Sequence, residues 1–169
     1  VTTAYVSADN GVIHIVDAVI TLPSVVTFAA ADAATFSELV GALTRADQPD
    51  YVSVLTTANG TAPAPFTVFA PTNQAFADLY AELGVAGIDD VDGAILTATL
   101  NTHVVAGANV RAEDLVTGTV ATLGDAVEID ATTAIITDPN GRTSQVIVTN
   151  VQAANGVIHA IDTVLLPQL

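Results

Sequence analysis

The sequence predicts an α+β fold in which helices come first and a largely antiparallel sheet or sandwich follows. Three observations predict it. Between Ser24 and Val104 the apolar residues recur mostly at helical spacing. After Gly107 the chain turns to short runs rich in β-branched residues with turn signals between them, and the two regions do not alternate as βαβ units would. Asp138-Pro139-Asn140-Gly141, between two such runs, is the strongest hairpin signal in the chain.

The elements follow in order. Residues 1–22 read as extended chain with a turn at Asp9-Asn10-Gly11, and Pro23 ends the run. Ser24 is placed to cap a short helix, VVTFAAA, and Asp32 a second, AATFSELVGALTRA, whose Phe36, Leu39, Val40 and Leu43 make one apolar stripe. YVSVLTT reads as a third short helix and ANGTAPAP as a loop. FTVFA (66–70) is a short buried strand. Thr72 then caps the helix QAFADLYAEL, which Gly84 ends. After the loop GVAGIDDVDG, AILTATLNTHVV is a helix with Ile95, Leu96, Leu100 and Val104 inward, closed by Gly107. VRAEDL, GTVATL, AVEIDA, AIIT, QVIVTNVQA and VIHAIDTVLL complete the chain as strands.

Composition limits the function. At 169 residues the chain is long enough to bury a core without staples, and having no Cys it excludes disulfides and thiol chemistry. Arg45, Arg111 and Arg142 are its only Lys or Arg residues, and the formal net charge is -15. Nucleic acid is therefore not an expected partner, because phosphate contacts need clustered cations, and anionic membrane surfaces are disfavoured for the same reason. No apolar run is long enough to insert in a membrane. An acidic surface of this kind suits a saline, extracellular setting, where salt screens its self-repulsion. No signal peptide opens the sequence, which begins in the strand-like run VTTAYV as a mature fragment would.

One segment occurs twice. NGVIHIVDAVITLP starts at Asn10 and NGVIHAIDTVLLP at Asn155. At the second place it closes a β unit; at the first it precedes the helices. The simplest account is that residues 1–23 are the closing strand of a preceding, homologous domain plus a linker, and that 24–169 form a complete one. A copied closing strand can also add to a sheet edge, in its own molecule or a neighbour.

TVFAPTNQAF (67–76), NTHVVAG (101–107) and NGVIHAIDTVLLP (155–167) stand in order, and together they resemble the fasciclin domain over 24–169. The resemblance implies a β-sandwich or bent antiparallel sheets flanked by several short helices. It implies a non-enzymatic adhesion or interaction module, secreted or at the cell surface, from a tandem array in a bacterial protein. Many members carry Tyr-His where this chain has Thr102-His103. Some animal members carry an Asp-Ile element at the slots filled here by Asn150 and Val151, and by Tyr5 and Val6 in the first copy. The animal integrin-type reading is therefore not carried over.

No residue pattern demands catalysis. His14, His103 and His159 each sit in an apolar segment and read as core histidines; in a fasciclin-like arrangement Thr72, Asn73, His103 and His159 form one buried polar network. No G-x-S-x-G elbow and no nucleotide-binding glycine loop is present. Asp89, Asp90 and Asp92 resemble part of a calcium loop, but the position for a closing Glu is Asn101, and acidic residues also favour a helix start. No cofactor or metal is expected. Asn59-Gly60-Thr61 is a sequon and marks an exposed loop. The partner classes are an extracellular protein or a polysaccharide, homophilic contact included. A carbohydrate-binding module needs exposed aromatic platforms; Phe36, Phe66, Phe69 and Phe76 read as buried, which leaves Tyr5, Tyr51 and Tyr80. A ligand-free structural spacer is the third reading.

Overall fold

The computed structural model describes residues 3–19 and 22–168; the ends of the extended N-terminal run at residues 1, 2, 20 and 21, and Leu169, lie outside the described residues. The extended N-terminal stretch folds on itself. β1 (Thr3–Ala8) and β2 (Gly11–Ile15) form an antiparallel hairpin across the turn at Asp9-Asn10, a two-stranded sheet of its own. Among the described residues neither strand of this hairpin adds to an edge of the main sheet.

Among the described residues five α-helices follow, with one strand between the third and fourth and a 3₁₀ turn at Ile88–Asp90 before the fifth. Ser24 caps α1 (Val25–Ala31), its Oγ accepting from Thr27 N at 3.2 Å. Asp32 precedes α2 (Ala33–Thr44), but its side chain makes no capping bond; its backbone carbonyl receives the Thr35 and Phe36 amides instead. Asp50 caps α3 (Tyr51–Leu55). β3 (Phe66–Pro71) leads through Thr72, whose Oγ1 accepts from Ala75 N, into α4 (Asn73–Leu83), which Gly84 ends in the left-handed region at φ 68°. Asp92 caps α5 (Gly93–Thr102), and its carboxylate accepts from both Ala94 N and Ile95 N.

α5 is shorter than its apolar pattern predicts. His103 is its C-cap, and Val104 already belongs to β4 (Val104–Ala106), so Gly107 follows a strand rather than closing a helix. Ile95, expected inward, is exposed. The cause is β3, whose open edge takes Val104–Ala106 as an antiparallel partner and overrides local helix propensity. VRAEDL is not a strand either: a 3₁₀ turn occupies Ala112–Asp114. β5 (Gly118–Val120), β6 (Val127–Asp130) and β7 (Ile135–Thr137) are shorter than their sequence runs. β8 (Thr143–Ala153) is long, and β9 (Gly156–Ile161) ends before the TVLL run.

The seven-stranded sheet has the order β4-β3-β9-β8-β7-β6-β5. All pairs are antiparallel except β3 with β9, which run parallel in register from Phe66↔Gly156 to Pro71↔Ile161. Helices separate these two strands in sequence, so a crossover between them is free to make a parallel pair. Strand alternation divides the core in two. Phe66, Val68, Ala70, Ile158 and Ala160 face the helices with Phe36, Leu39, Phe76, Leu96 and Leu100. Phe69, Val105 and Ile161 face the other way, onto Val127, Ile129, Ile136 and Leu165. The sheet thus bends through β8 so that β6 and β7 cover the face of β3 and β9 that the helices do not.

Candidate functional site

The segment NGVIH at 155–159 is a structural keystone. Asn155 is buried; its Nδ2 donates to Leu55 O and Thr57 O, each at 2.8 Å, and its Oδ1 accepts from Val25 N at 3.0 Å. One side chain thereby joins the start of α1 and the end of α3 to the sheet. Gly156 lies flat against β3. A Cβ there would stand 3.0 Å from Phe66 N and its carbonyl carbon and closer still to its oxygen, so only glycine fits.

The histidines do not converge. His103 is buried in the joint between α5 and the C-terminal tail. Its Nδ1 donates to Thr99 O at 2.7 Å, and its Nε2 accepts from Leu165 N at 3.0 Å. Burial pushes its pKa down to about 4, against the pull of the Thr99 carbonyl and Asp138, so it is neutral near pH 7. His159, also buried, donates from Nε2 to Val110 O at 2.9 Å, which makes Nδ1 an acceptor without a protein partner. Burial lowers its pKa as well. His14 is exposed, correcting the expectation of a core histidine, and its ring stands edge-on to Tyr5 at 5.2 Å.

The expected four-residue polar network does not form. Thr72 caps α4. The Asn73 Oδ1 accepts from Glu38 N, and its Nδ2 donates to Ala33 O and Ala34 O, so it ties α4 to α2. His103 and His159 each have their own backbone partners instead. Thr102 is buried too, its Oγ1 donating to Ala98 O, so the Thr102-His103 pair offers no surface to a partner.

The acidic run has structural duties. Asp92 caps α5, Asp90 accepts from Ala86 N, and Arg45 donates to the carbonyls of Ile88 and Val91 that a cation would otherwise take. Among the described residues no group of three or more His, Asp or Glu side chains is placed to hold a metal ion. Asp138, read only as a hairpin residue, does more. It is buried, accepts from Asn140 N and Arg142 N, and receives Leu166 N at 3.0 Å, while Arg142 reaches Val164 O and Glu82. Together they tie down the tail that follows β9.

The aromatic platforms shrink to one. Tyr51 is buried and donates to Thr97 O and Asn101 Oδ1; Tyr80 is half-buried and donates to Glu38 Oε2. Tyr5 is 80 % exposed. The four phenylalanines expected inside, Phe36, Phe66, Phe69 and Phe76, are all buried. The sequon loop at Asn59-Gly60-Thr61 is exposed.

The surface feature that sequence reading missed lies on β8. Its middle, Ile147–Asn150, is exposed: β7 pairs with β8 only over Thr143–Gln145, and beyond that the register with β9 shifts between Val146 and Val151. Asn150 adopts the left-handed conformation there (φ 60°); its Oδ1 accepts from Ala112 N and its Nδ2 donates to Glu113. Ile147 and Val148, 51 % and 49 % exposed, rim an apolar groove of about 200 Å³ floored by Phe28, Phe36, Val151 and Ile158. A second apolar recess of about 250 Å³ lies on the opposite core, lined by Phe69, Val110, Leu115, Val116 and Ile129. The alternation in QVIVTNVQA reads as a regular strand, and no sequence signal marks the bulge apart from Asn150.

Comparison with known proteins decides the family. The fasciclin domain pattern matches residues 34–167. The chain belongs to the fasciclin domain family. The Synechocystis protein sll1735 is 34 % identical to this fasciclin chain over 146 residues, covering 86 % of it and 98 % of sll1735. A cell surface glycolipoprotein of Mycobacterium bovis, MPB83, is 35 % identical over 146 residues, 84 % of this chain and 60 % of that protein. A fasciclin-like arabinogalactan protein of Arthroderma benhamiae is 32 % identical over 166 residues, 96 % of this chain and 35 % of its own. Among solved structures, a FAS1 domain pair from the insect cell adhesion molecule fasciclin I matches with a TM-score of 0.66 at 21 % identity, over 98 % of this chain and 57 % of the pair. That likeness establishes the α+β fasciclin fold, with its curved sheet and short helices.

Proposed function

We propose that this fasciclin domain is a non-enzymatic adhesion or protein-interaction module acting outside the cell, at the surface of the producing bacterium, within a larger secreted protein. The observation that carries the reading is the Ile147-Val148 pair at the rim of the groove beneath α1 and α2. Two adjacent apolar side chains exposed where β8 runs past its ladder with β7, at the rim of an apolar groove, favour an interaction site over a core. Similarity to the cell surface glycolipoprotein MPB83 and to the insect cell adhesion molecule fasciclin I supports it. So does the charge: with three arginines and no lysine the surface repels anionic partners, and an apolar contact is what remains to drive close approach. No helix among the described residues is long and apolar enough to cross a membrane. The partner is an extracellular protein or polysaccharide, another copy of the domain included.

The test is a bead assay. Beads coated with the protein are scored for aggregation with one another and for capture on immobilised extracellular polysaccharide and surface protein from the producing organism. Wild-type beads are expected to adhere, and beads carrying Ile147→Glu with Val148→Lys to lose adhesion while the protein keeps its unfolding temperature. Equal adhesion by the double variant refutes the site. A Tyr5→Ala variant that alone abolishes capture on polysaccharide moves the reading to carbohydrate binding.

A further inference from the structure

We infer that the β1–β2 hairpin is the closing element of a fasciclin module preceding this one, and that Gly11–His14 form a docking edge for that module's own β3-type strand. The inference rests on family membership and not on the adhesion reading.

The hairpin repeats the β8–β9 hairpin at a constant offset of 145 residues. Val6↔Ile13, Ser7↔Val12 and Ala8↔Gly11 correspond to Val151↔Ile158, Gln152↔Val157 and Ala153↔Gly156. The register shifts at the same place in both, and the residue at the shift is left-handed in both, Tyr5 at φ 61° and Asn150 at φ 60°. Asparagine tolerates that conformation, whereas tyrosine, a bulky residue, adopts it against its preference.

The glycine carries the argument further. Gly156 is required because β3 lies against it. Gly11 has nothing within 4 Å of where a Cβ would stand, and its φ is not in the left-handed region. Nothing among the described residues requires glycine at position 11; a strand passing as Phe66 passes Gly156 does. Asn10 likewise has the residue type, but not the partners, that let Asn155 hold two helices to the sheet. Val12 and Ile13 are each 54 % exposed, whereas Val157 and Ile158 are 0 % and 1 % exposed. Side chains that form a core in one copy stand in solvent in the other.

The fold also selects the occupant. β3 has β4 on one side and β9 on the other, so a second complete copy has no strand to give. A module that lacks its own closing hairpin does. The occupant is therefore the body of a preceding fasciclin module, with its β3-type strand running parallel to β2 as β3 runs to β9.

The test is a fusion in which residues 24–149 are placed directly ahead of Tyr5, so that the hairpin stands where 150–161 stand in the complete module. Hydrogen exchange is read at the amides of Gly11–His14. In the fusion they are expected to exchange at least about a hundredfold more slowly than in the 169-residue chain. Gly11→Val is expected to abolish that protection in the fusion and to leave unfolding of the 169-residue chain unchanged. A version with Ile15→Ala, which restores the small residue found at Ala160, separates an overpacked upstream core from a failure to dock. Fast exchange in both the fusion and its Ile15→Ala version overturns the inference, as does protection that survives Gly11→Val.

Discussion

Acidification from pH 7.5 to 5 should destabilise this domain through His103. In the fold its imidazole is buried and neutral, with Nδ1 donating to Thr99 O and Nε2 accepting from Leu165 N. Protonation takes away the acceptor that Leu165 N needs and places a charge in the core. The folded pKa is about 4 against a reference of 6.5. The unfolded chain therefore binds more protons than the folded one between those values, and stability is full above about pH 6.5 and falls as pH drops toward 4. That gap amounts to roughly 3 kcal/mol at the acid end, of which about 2 kcal/mol is lost by pH 5. His159, lowered in the same direction, adds to the loss. The net charge of -15 works the other way, because protonating carboxylates relieves self-repulsion, and a comparison with a His103 variant cancels that contribution. Urea unfolding at pH 7.5, 6 and 5, for the wild type and His103→Gln, isolates the effect. The variant should be less stable at pH 7.5 by about 1–3 kcal/mol, since its buried partners are left imperfectly matched. The gap should then close by about 2 kcal/mol on going to pH 5. A constant gap across that range refutes the assignment of a neutral, desolvated His103.

Other perturbations have equally direct readouts. Asn155→Ala removes three hydrogen bonds of a buried side chain at once and should cost about 2–4 kcal/mol in urea unfolding; a loss under about 1 kcal/mol contradicts its role in joining α1, α3 and the sheet. Ser24→Ala should cost about 1 kcal/mol and Asp32→Ala close to none, because only Ser24 makes a side-chain cap; equal losses by thermal unfolding disprove that difference. Ile147→Glu alone should leave the unfolding midpoint unchanged and reduce bead adhesion, and a cooperative loss of stability would place Ile147 in the core instead of on the binding face.

Much of the fold is legible in the sequence because local rules suffice for it. Ser24, Thr72 and Gly84 announce helix ends through their own side chains or lack of one, and Asp138 to Gly141 announces a hairpin. Where the expectation failed, a distant partner intervened. AILTATLNTHVV has helical spacing to its end, yet Val104 leaves the helix because β3 offers it a ladder. Asp32 has the right type for a cap, but its side chain makes no capping bond where α1 runs directly into α2. Tyr51 looks like an available platform until α5 supplies Thr97 O and Asn101 for its hydroxyl. The candidate site was the least legible part, since Ile147 and Val148 sit in an ordinary apolar alternation and are exposed where β8 runs past its ladder with β7 and its register with β9 slips.

The sequence by itself determined the family, the order of helices before strands, the buried phenylalanines and the repeat of NGVIH, since motifs, periodicity and internal copies are properties of a string. Only the tertiary structure decided which chemistry each copy of that segment performs. At 155–159 the parallel β3 strand turns Asn155 into a tie between helices, Gly156 into an obligate glycine and His159 into a buried donor. At 10–14 the same five residues stand in solvent with no β3 beside them. The role of a residue is set by the groups that surround it, and those arrive from parts of the chain that no local pattern connects.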